Sequence, residues 1–206
     1  CNPAIGGLAK GQMVREIDVL GGVMGFFADR SGIQFKVLNK KKGRAVWSPR
    51  AQIDKRQYEK LVRGAVKNSD VDILVGEVVS VKEVSGRVRS VLLRSGEEIK
   101  TVSAIITSGT FLSGVIHIGE RKINAGRMGE ERAEGLTESL QSIGLRSARL
   151  KTGTPPRIEK SSIDWTKTME ASGDIEPVPF SYSTQTFDPP NIPCHTISTN
   201  PEAHEI

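Results

Sequence analysis

The sequence has no run of 18 apolar residues, which excludes a membrane-spanning helix. Its two cysteines, Cys1 and Cys194, stand far apart and make no disulfide framework, so a reducing, cytoplasmic compartment is expected. Three histidines (His117, His195 and His204) show no ligand spacing with either cysteine, and no metal site is expected. No G-x-G-x-x-G occurs. The run Gly6-Gly7-Leu8-Ala9-Lys10-Gly11 follows no predicted strand and lacks the Ser/Thr of a nucleotide-triphosphate loop, which excludes an ATPase. There is no internal repeat and no low-complexity tract. Cys1-Asn2-Pro3 opens no basic-then-apolar leader, so no secretory signal is expected, and the sequence reads as an internal piece of a longer protein. At 37% hydrophobic and 26% charged over 206 residues, it is globular and long enough to bury a core.

Charge is segregated along the chain. Lys36 to Lys67 holds eleven Lys/Arg against Asp54 and Glu59, a net +9. Residues 159–206 hold eight acids against Lys160 and Lys167, a net −6. The first stretch attracts phosphate over roughly a Debye length, ~8 Å at physiological salt, and fits RNA, DNA or a phosphorylated cofactor. A solvated basic helix face is the plainer reading. Trp47 and Tyr58 are its only aromatics, which weakens a single-strand stacking surface.

Hydrophobic periodicity predicts the elements. Met13, Ile17, Leu20, Met24 and Phe27 step by 4, 3, 4, 3, an amphipathic helix over 12–29 in which Gly21, Gly22 and Gly25 imply a break or close packing. Ile33–Leu38 reads as a strand. Ser48-Pro49 reads as the N-cap and first turn of a helix with Ile53, Tyr58, Leu61, Val62 and Ala65 on its buried stripe. Asp70–Glu77 reads as a strand. A three-stranded meander follows over about 78–101, with turns at Ser85-Gly86 and Ser95-Gly96. Val102–Thr107 reads as a further strand ending in Ser108-Gly109-Thr110, and a helix is expected near 130–143. Eight of the ten prolines lie from Pro155 to Pro201, which favours loops and short edge strands there.

A β-meander standing where a helical crossover is usual resembles the FAD domain of glutathione-reductase-like flavoproteins. That resemblance implies an α/β fold in which Val79 meets the adenine and Ser108, Gly109 and Thr110 pass close to the cofactor. Ligands of open α/β sheets sit beyond the carboxyl ends of strands, where small residues permit backbone approach. With no phosphate loop here, a pyrophosphate site would lie upstream of Cys1.

Three longer strings narrow the reading: Cys1-Asn-Pro-Ala-Ile-Gly-Gly-Leu-Ala-Lys-Gly11, Arg50-Ala-Gln-Ile-Asp54 and Leu150-Lys-Thr-Gly-Thr-Pro-Pro-Arg157. With Gly109-Thr-Phe-Leu112 and Ile116-His-Ile-Gly119 between them, the sequence closely resembles the MnmG/GidA family over its whole length. Two positions depart from that family's pattern: Lys42–Trp47, where Pro is expected after the Gly and a basic residue at 47, and Ala133, where a small polar residue is expected. The resemblance implies a flavoprotein that binds FAD and accepts hydride from NADH. It further implies a homodimer that works with the GTPase MnmE. Together they install a (carboxymethyl)aminomethyl group on the wobble uridine of tRNA, using a methylene-tetrahydrofolate carbon. Residues 1–157 are then the distal part of the FAD domain, and 158–206 begin an inserted, Pro-rich nicotinamide or substrate domain.

The same resemblance marks candidate residues. Cys1 falls on the family's motif cysteine beside the flavin, either a catalytic thiolate activated by Lys10 or a helix N-terminus, or a small thiol in a tight loop. Asn2, Gly6, Gly7 and Lys10 shape the flavin-side loop. Arg50 and Gln52 open the basic helix, where Arg50 opposes the dipole unless an anion, such as an RNA phosphate, sits nearby or Asp54 pairs with it. Lys151, Thr152 and Gly153 are expected at the cofactor and Arg157 at tRNA, with a rigid linker as the plainer reading. Cys194 reads as a structural thiol and His117 as a strand residue. A folate- and FAD-dependent tRNA-uracil methyltransferase and a non-catalytic basic RNA-binding module are the alternatives.

Overall fold

The computed structural model describes residues 3–153 and 157–205. It is a mixed α/β structure of two compact units, Cys1–Val71 with Thr152–Ile206, and Asp72–Lys151.

The first unit begins with β1 (Ala4–Gly6), α1 (Gly11–Val19), α2 (Met24–Ser31), β2 (Gly32–Leu38), β3 (Ser48–Ile53) and α3 (Lys55–Lys67). The strands form an antiparallel sheet in the order β1-β3-β2. The helix expected over 12–29 is two helices, broken at residues 20–23 where Gly21 takes φ +88°. A Cβ on Gly22 would lie 2.3 Å from Ile17 Cγ2, so the glycines permit a tight reversal. The break resets the helical phase. Val14, Phe27 and Ala28 are buried, whereas Met13, Ile17, Leu20 and Met24 of the expected stripe are exposed.

Ser48-Pro49 does not open a helix. It lies in β3, where Pro49 pairs with Val37 and its carbonyl accepts from Gly7 N at 2.8 Å. Neighbouring strands on both sides outweigh the local N-cap signal. The helix starts six residues later, with Asp54 as cap: its Oδ1 accepts from Arg56 N at 2.9 Å and Gln57 N at 3.1 Å.

The second unit holds the meander, β4 (Val78–Val84), β5 (Arg87–Leu93) and β6 (Glu98–Lys100), in that order and antiparallel. Its turns are the expected ones: Ser85 and Gly86 both take positive φ, as does Gly96. The β4–β5 register slips between Val78 and Ser80, which places a bulge at Val79. A hairpin absent from the sequence reading follows, β7 (Ile116–Ile118) with β8 (Arg121–Ile123). The helix expected over 130–143 is shorter, α4 (Leu136–Ser142), because the chain turns at Gly135 with φ +93°. Ser139 Oγ docks it on β4, accepting from Val81 N at 2.9 Å.

Asp70–Glu77 and Val102–Thr107, both expected as strands, join no ladder among the described residues. Val75, Val102 and Ile105 are each more than 90% exposed. Their apolar sequence has the strand pattern, but a strand needs a neighbour to bond to, and no other described segment supplies one.

The chain then returns to the first unit, where β9 (Met169–Ala171) pairs with β10 (Cys194–Thr196). The sequence reading opens a separate domain at residue 158. In the structure, segments between residues 171 and 192 pack on β2 and α2. Gln34 Nε2 donates to the carbonyls of Ala171 and Ile192, and Asp174 accepts from Val37 N and pairs with Lys40 Nζ, each at 2.9 Å. Phe180 is 1% exposed in the core with Val14, Ala28, Phe35, Ala51 and Ile53. Burying such a ring contributes about 1.5–3 kcal/mol. Phe187 meets Phe35 edge-on at 4.8 Å.

Asp29 holds that segment down. Its buried carboxylate accepts from Phe180 N at 2.7 Å, Ser181 N at 2.9 Å and Thr184 Oγ1 at 2.7 Å. Burial pushes its pKa above the ordinary 3.8, only partly opposed by those three donors. The folded carboxyl therefore holds its proton more tightly than the unfolded one. The associated stability is full below pH 3.8 and is lost as pH rises through the folded value. Asp29→Ala leaves three donors without an acceptor, and a loss of about 3–5 kcal/mol in urea unfolding is expected, with that pH dependence abolished. A loss below about 1 kcal/mol would show that the segment is held without this carboxylate.

Candidate functional site

Two of the three long strings meet in one sheet. Gly6 lies opposite Arg50 and Ala4 opposite Gln52 in the β1–β3 ladder. Gly6 takes φ +78°, Gly7 φ +96° and Ala9 φ +57°, and Gly7 O accepts from Lys10 N at 3.0 Å and Gly11 N at 2.9 Å. This bend carries the chain from the strand into α1, whose first turn has no side-chain cap. The glycines have a packing duty as well. A Cβ on Gly6 would lie 2.3 Å from Pro49 O and 2.7 Å from the Phe180 ring, and one on Gly11 2.4 Å from Pro49 O.

Gly6, Gly7, Lys10, Arg50 and Gln52 are thus brought together, with Lys10 exposed and Arg50 half-buried. Arg50 Cδ lies 3.8 Å from where a Gly7 Cβ would be. Arg50 and Gln52 sit in a strand and not at a helix start. No helix dipole therefore opposes Arg50, and Asp54 serves as the cap of α3 instead. The structure leaves Arg50 a cation beside a glycine bend.

In the second unit, Ser108-Gly109-Thr110 forms a turn closed by Phe111 N donating to Ser108 O at 3.2 Å. Gly109 takes φ +59°, and a Cβ there would meet nothing within 4 Å. Thr110 Oγ1 donates to Gly126 O at 3.0 Å, anchoring the turn. Val79 is half-buried at its bulge, with Gly135 against it. A Cβ on Gly135 would lie 3.1 Å from Val79 O.

Lys151, Thr152, Gly153 and Arg157 are exposed and outside regular structure. Cys1, Asn2 and the Pro155-Pro156 pair expected to hold Lys151 and Arg157 apart lie outside the described residues. His117 is an exposed strand residue, and Cys194 is half-buried in β10. His195 Nδ1 lies 2.9 Å from Thr168 Oγ1, its ring edge-on to Trp165 at 4.8 Å.

A shallow cavity of about 380 Å³ lies on the meander, lined by Ser80, Lys82, Ser90, Glu98 and Ser142 among others. It includes none of the expected site residues. Glu98 accepts from Ser90 Oγ and Lys82 Nζ there, which hold its carboxyl below the ordinary range.

Two polar clamps escaped the sequence reading. One is Asp29, for which the only signal is an acid ending the apolar run Phe26-Phe27-Ala28. The other is Glu77, at the mouth of the meander. Arg94 forks onto its carboxylate, Nε to Oε2 at 2.5 Å and Nη2 to Oε1 at 2.8 Å, while Glu134 N donates at 3.2 Å. Backbone Arg94 N also donates to Glu77 O at 2.8 Å. The Arg94 guanidinium, followed by the Glu134 amide, pulls the Glu77 pKa down from 4.5 to about 2.

A family model described as glucose inhibited division protein A matches residues 1–206. The chain is 47% identical over 207 residues to the tRNA uridine 5-carboxymethylaminomethyl modification enzyme MnmG of Thermodesulfovibrio yellowstonii, covering all of this chain and 33% of that protein. It is 49% identical over 209 residues to the protein of the same name from Chlorobaculum tepidum, covering 34% of it. The solved structure of Aquifex aeolicus GidA in its form I crystal superimposes with a TM-score of 0.92 at 44% identity, over 100% of this chain and 35% of that one. The chain thus spans about a third of the length of these relatives.

The Glu77–Arg94 clamp is open to titration. Its contribution to stability is present above pH 4.5 and is lost as pH falls through about 2. Carboxyl NMR is expected to show Glu77 titrating near 2, and Arg94→Gln to return it most of the way to the ordinary value. A Glu77 indifferent to Arg94→Gln would place the source of its acidity elsewhere.

Proposed function

The chain belongs to the glucose inhibited division protein A family, and on that premise we propose that it is part of a flavin-dependent tRNA uridine modification enzyme. The reading is carried by the match, over the whole of this chain, to relatives named for 5-carboxymethylaminomethyl modification. In this reading the whole protein is a homodimer that uses FAD and NADH, takes a one-carbon unit from methylene-tetrahydrofolate and works with the GTPase MnmE on the wobble uridine.

The flavin is tested against the residues present. The meander, its flanking apolar segments and the turn after the second of them match the order of a glutathione-reductase-like domain. The exposed strand-patterned segments 71–75 and 102–106 are accounted for as strands of a parallel sheet whose neighbours lie outside these residues. At the end of the second, Gly109 leaves open space where a side chain would stand, which suits a flat cofactor passing close to backbone. When bound, FAD supplies hydride transfer between NADH and the one-carbon unit.

The chain's own residues position and charge the site. Ser108, Gly109 and Thr110 present backbone to the cofactor, and Val79 offers its bulged backbone to the adenine. Gly6 and Gly7 shape the bend on which Lys10 and Arg50 stand as cations for a flavin or RNA phosphate. Gln52 lies next along the same strand. Lys151, Thr152 and Gly153 are assigned to the cofactor and Arg157 to tRNA phosphate. Cys1 is the candidate nucleophile toward the uracil ring, its thiolate favoured in this reading by Lys10 or by a helix N-terminus.

The full-length protein is expected to show a flavin absorption band that bleaches with anaerobic NADH. A protein that stays colourless after reconstitution with FAD would overturn the reading. Nucleoside analysis of the treated tRNA is expected to yield a uridine carrying an aminomethyl-type group; a methylated uridine instead would make it a methyltransferase. Gly109→Val is expected to lose most of the bound flavin while far-UV circular dichroism is retained, since a β-branched residue is strained at that φ and fills the open space. Full flavin content in that variant would remove the turn from the cofactor site.

A further inference from the structure

We propose that the outward face of α3 is a binding surface for the phosphate backbone of RNA. This rests on the tRNA reading above and assigns it a surface outside the glycine-loop site. Arg56, Lys60, Arg63 and Lys67 recur at i, i+4, i+7 and i+11, which aligns them on one side of the helix. All four are exposed, while Tyr58, Leu61 and Val62 are half-buried on the opposite side.

This arrangement works against the helix that carries it. Like charges at i, i+4 repel as much as opposite charges attract. Lys55 and Arg56 stand at the positive end of the helix dipole, where the Asp54 cap is the one acid. Among the described residues, only Arg63 of the four has an acid in ion-pair range, Glu59 at 2.7 Å. The stripe spans about 16 Å, from 11 steps of 1.5 Å. Phosphates advance about 3.4 Å per nucleotide along a duplex axis, so it can run beside several in succession.

The helix is also held rigidly from behind. Tyr58 packs edge-on against Phe27 at 6.5 Å, Gln57 Nε2 donates to Arg30 O at 2.9 Å, and Asp54 caps the start. A fixed row of cations suits a periodic anion. A membrane surface is disfavoured, because such helices place large apolar residues beside the cations, and here Tyr58, Leu61 and Val62 are half-buried on the other side, leaving Val66 as the one large apolar residue exposed on the helix.

The test is tRNA binding by the full chain, measured by fluorescence anisotropy from about 50 to about 250 mM KCl. Arg56→Gln, Lys60→Gln and Lys67→Gln together remove three charges with little change in helix propensity and leave the Arg63–Glu59 pair. The slope of log K against log salt is expected to fall by about 2, at about 0.7–0.9 per lost phosphate contact, with affinity at low salt weakened about tenfold or more. Flavin content and melting temperature are expected to hold, and Lys60→Arg with Lys67→Arg to keep the parent slope. A triple variant with the parent's slope overturns the proposal while leaving the tRNA reading intact. A parent chain that binds no tRNA overturns both. Vesicles of phosphatidylserine and phosphatidylcholine held by the parent and released by the variant, with tRNA binding unchanged, would make the face a membrane contact and overturn the proposal.

Discussion

The first unit depends on one buried carboxylate. Asp29, late in α2, follows the apolar run Phe26-Phe27-Ala28 and gathers two backbone amides and a hydroxyl from residues 180–184, about 150 positions later. Desolvating it is costly, and the three donors offset that cost only in part, so its pKa stays above the ordinary value. Around this point Phe180 fills the core, and Asp174 closes the edge of β2 through Val37 N and Lys40. The acidic tail and the basic stretch, separate blocks in the sequence, meet there as specific contacts.

The same packing shapes the candidate site. Phe180 presses on Gly6, and Pro49 O sits where side chains on Gly6 or Gly11 would have to go. The glycine loop is therefore shaped from behind by protein and bent forward by three consecutive hydrogen bonds around Gly7. Its cations, Lys10 and Arg50, come from strings some forty residues apart. The ladder pairing of Gly6 with Arg50 brings Arg50 to the bend that leads to Lys10. Positive φ at the glycines serves this bend first and any ligand second.

The second unit shows the opposite balance. Its meander is self-sufficient, with two glycine-containing turns, a bulge at Val79 and the Glu77–Arg94 fork closing one end. The flanking segments 71–75 and 102–106 are apolar yet exposed. Among the described residues no sheet includes them, and their apolar side chains stand in solvent.

Local chemistry alone determined much of this protein. Period-2 alternation with Ser-Gly turns specified the meander, because strand faces and two-residue loops are short-range properties. Long exact strings specified the family, and composition specified a proline-rich tail whose described residues form no α-helix. Tertiary structure decided the rest. Ser48-Pro49 became strand because β1 and β2 flank it, and the helix over 12–29 broke because Gly22 can pack on Ile17. Arg50 lost its helix dipole and gained a glycine bend, and residues 180–184 bond back to Asp29 across some 150 positions. These outcomes depend on which segments meet, and pairing between distant residues leaves no periodic trace in the chain.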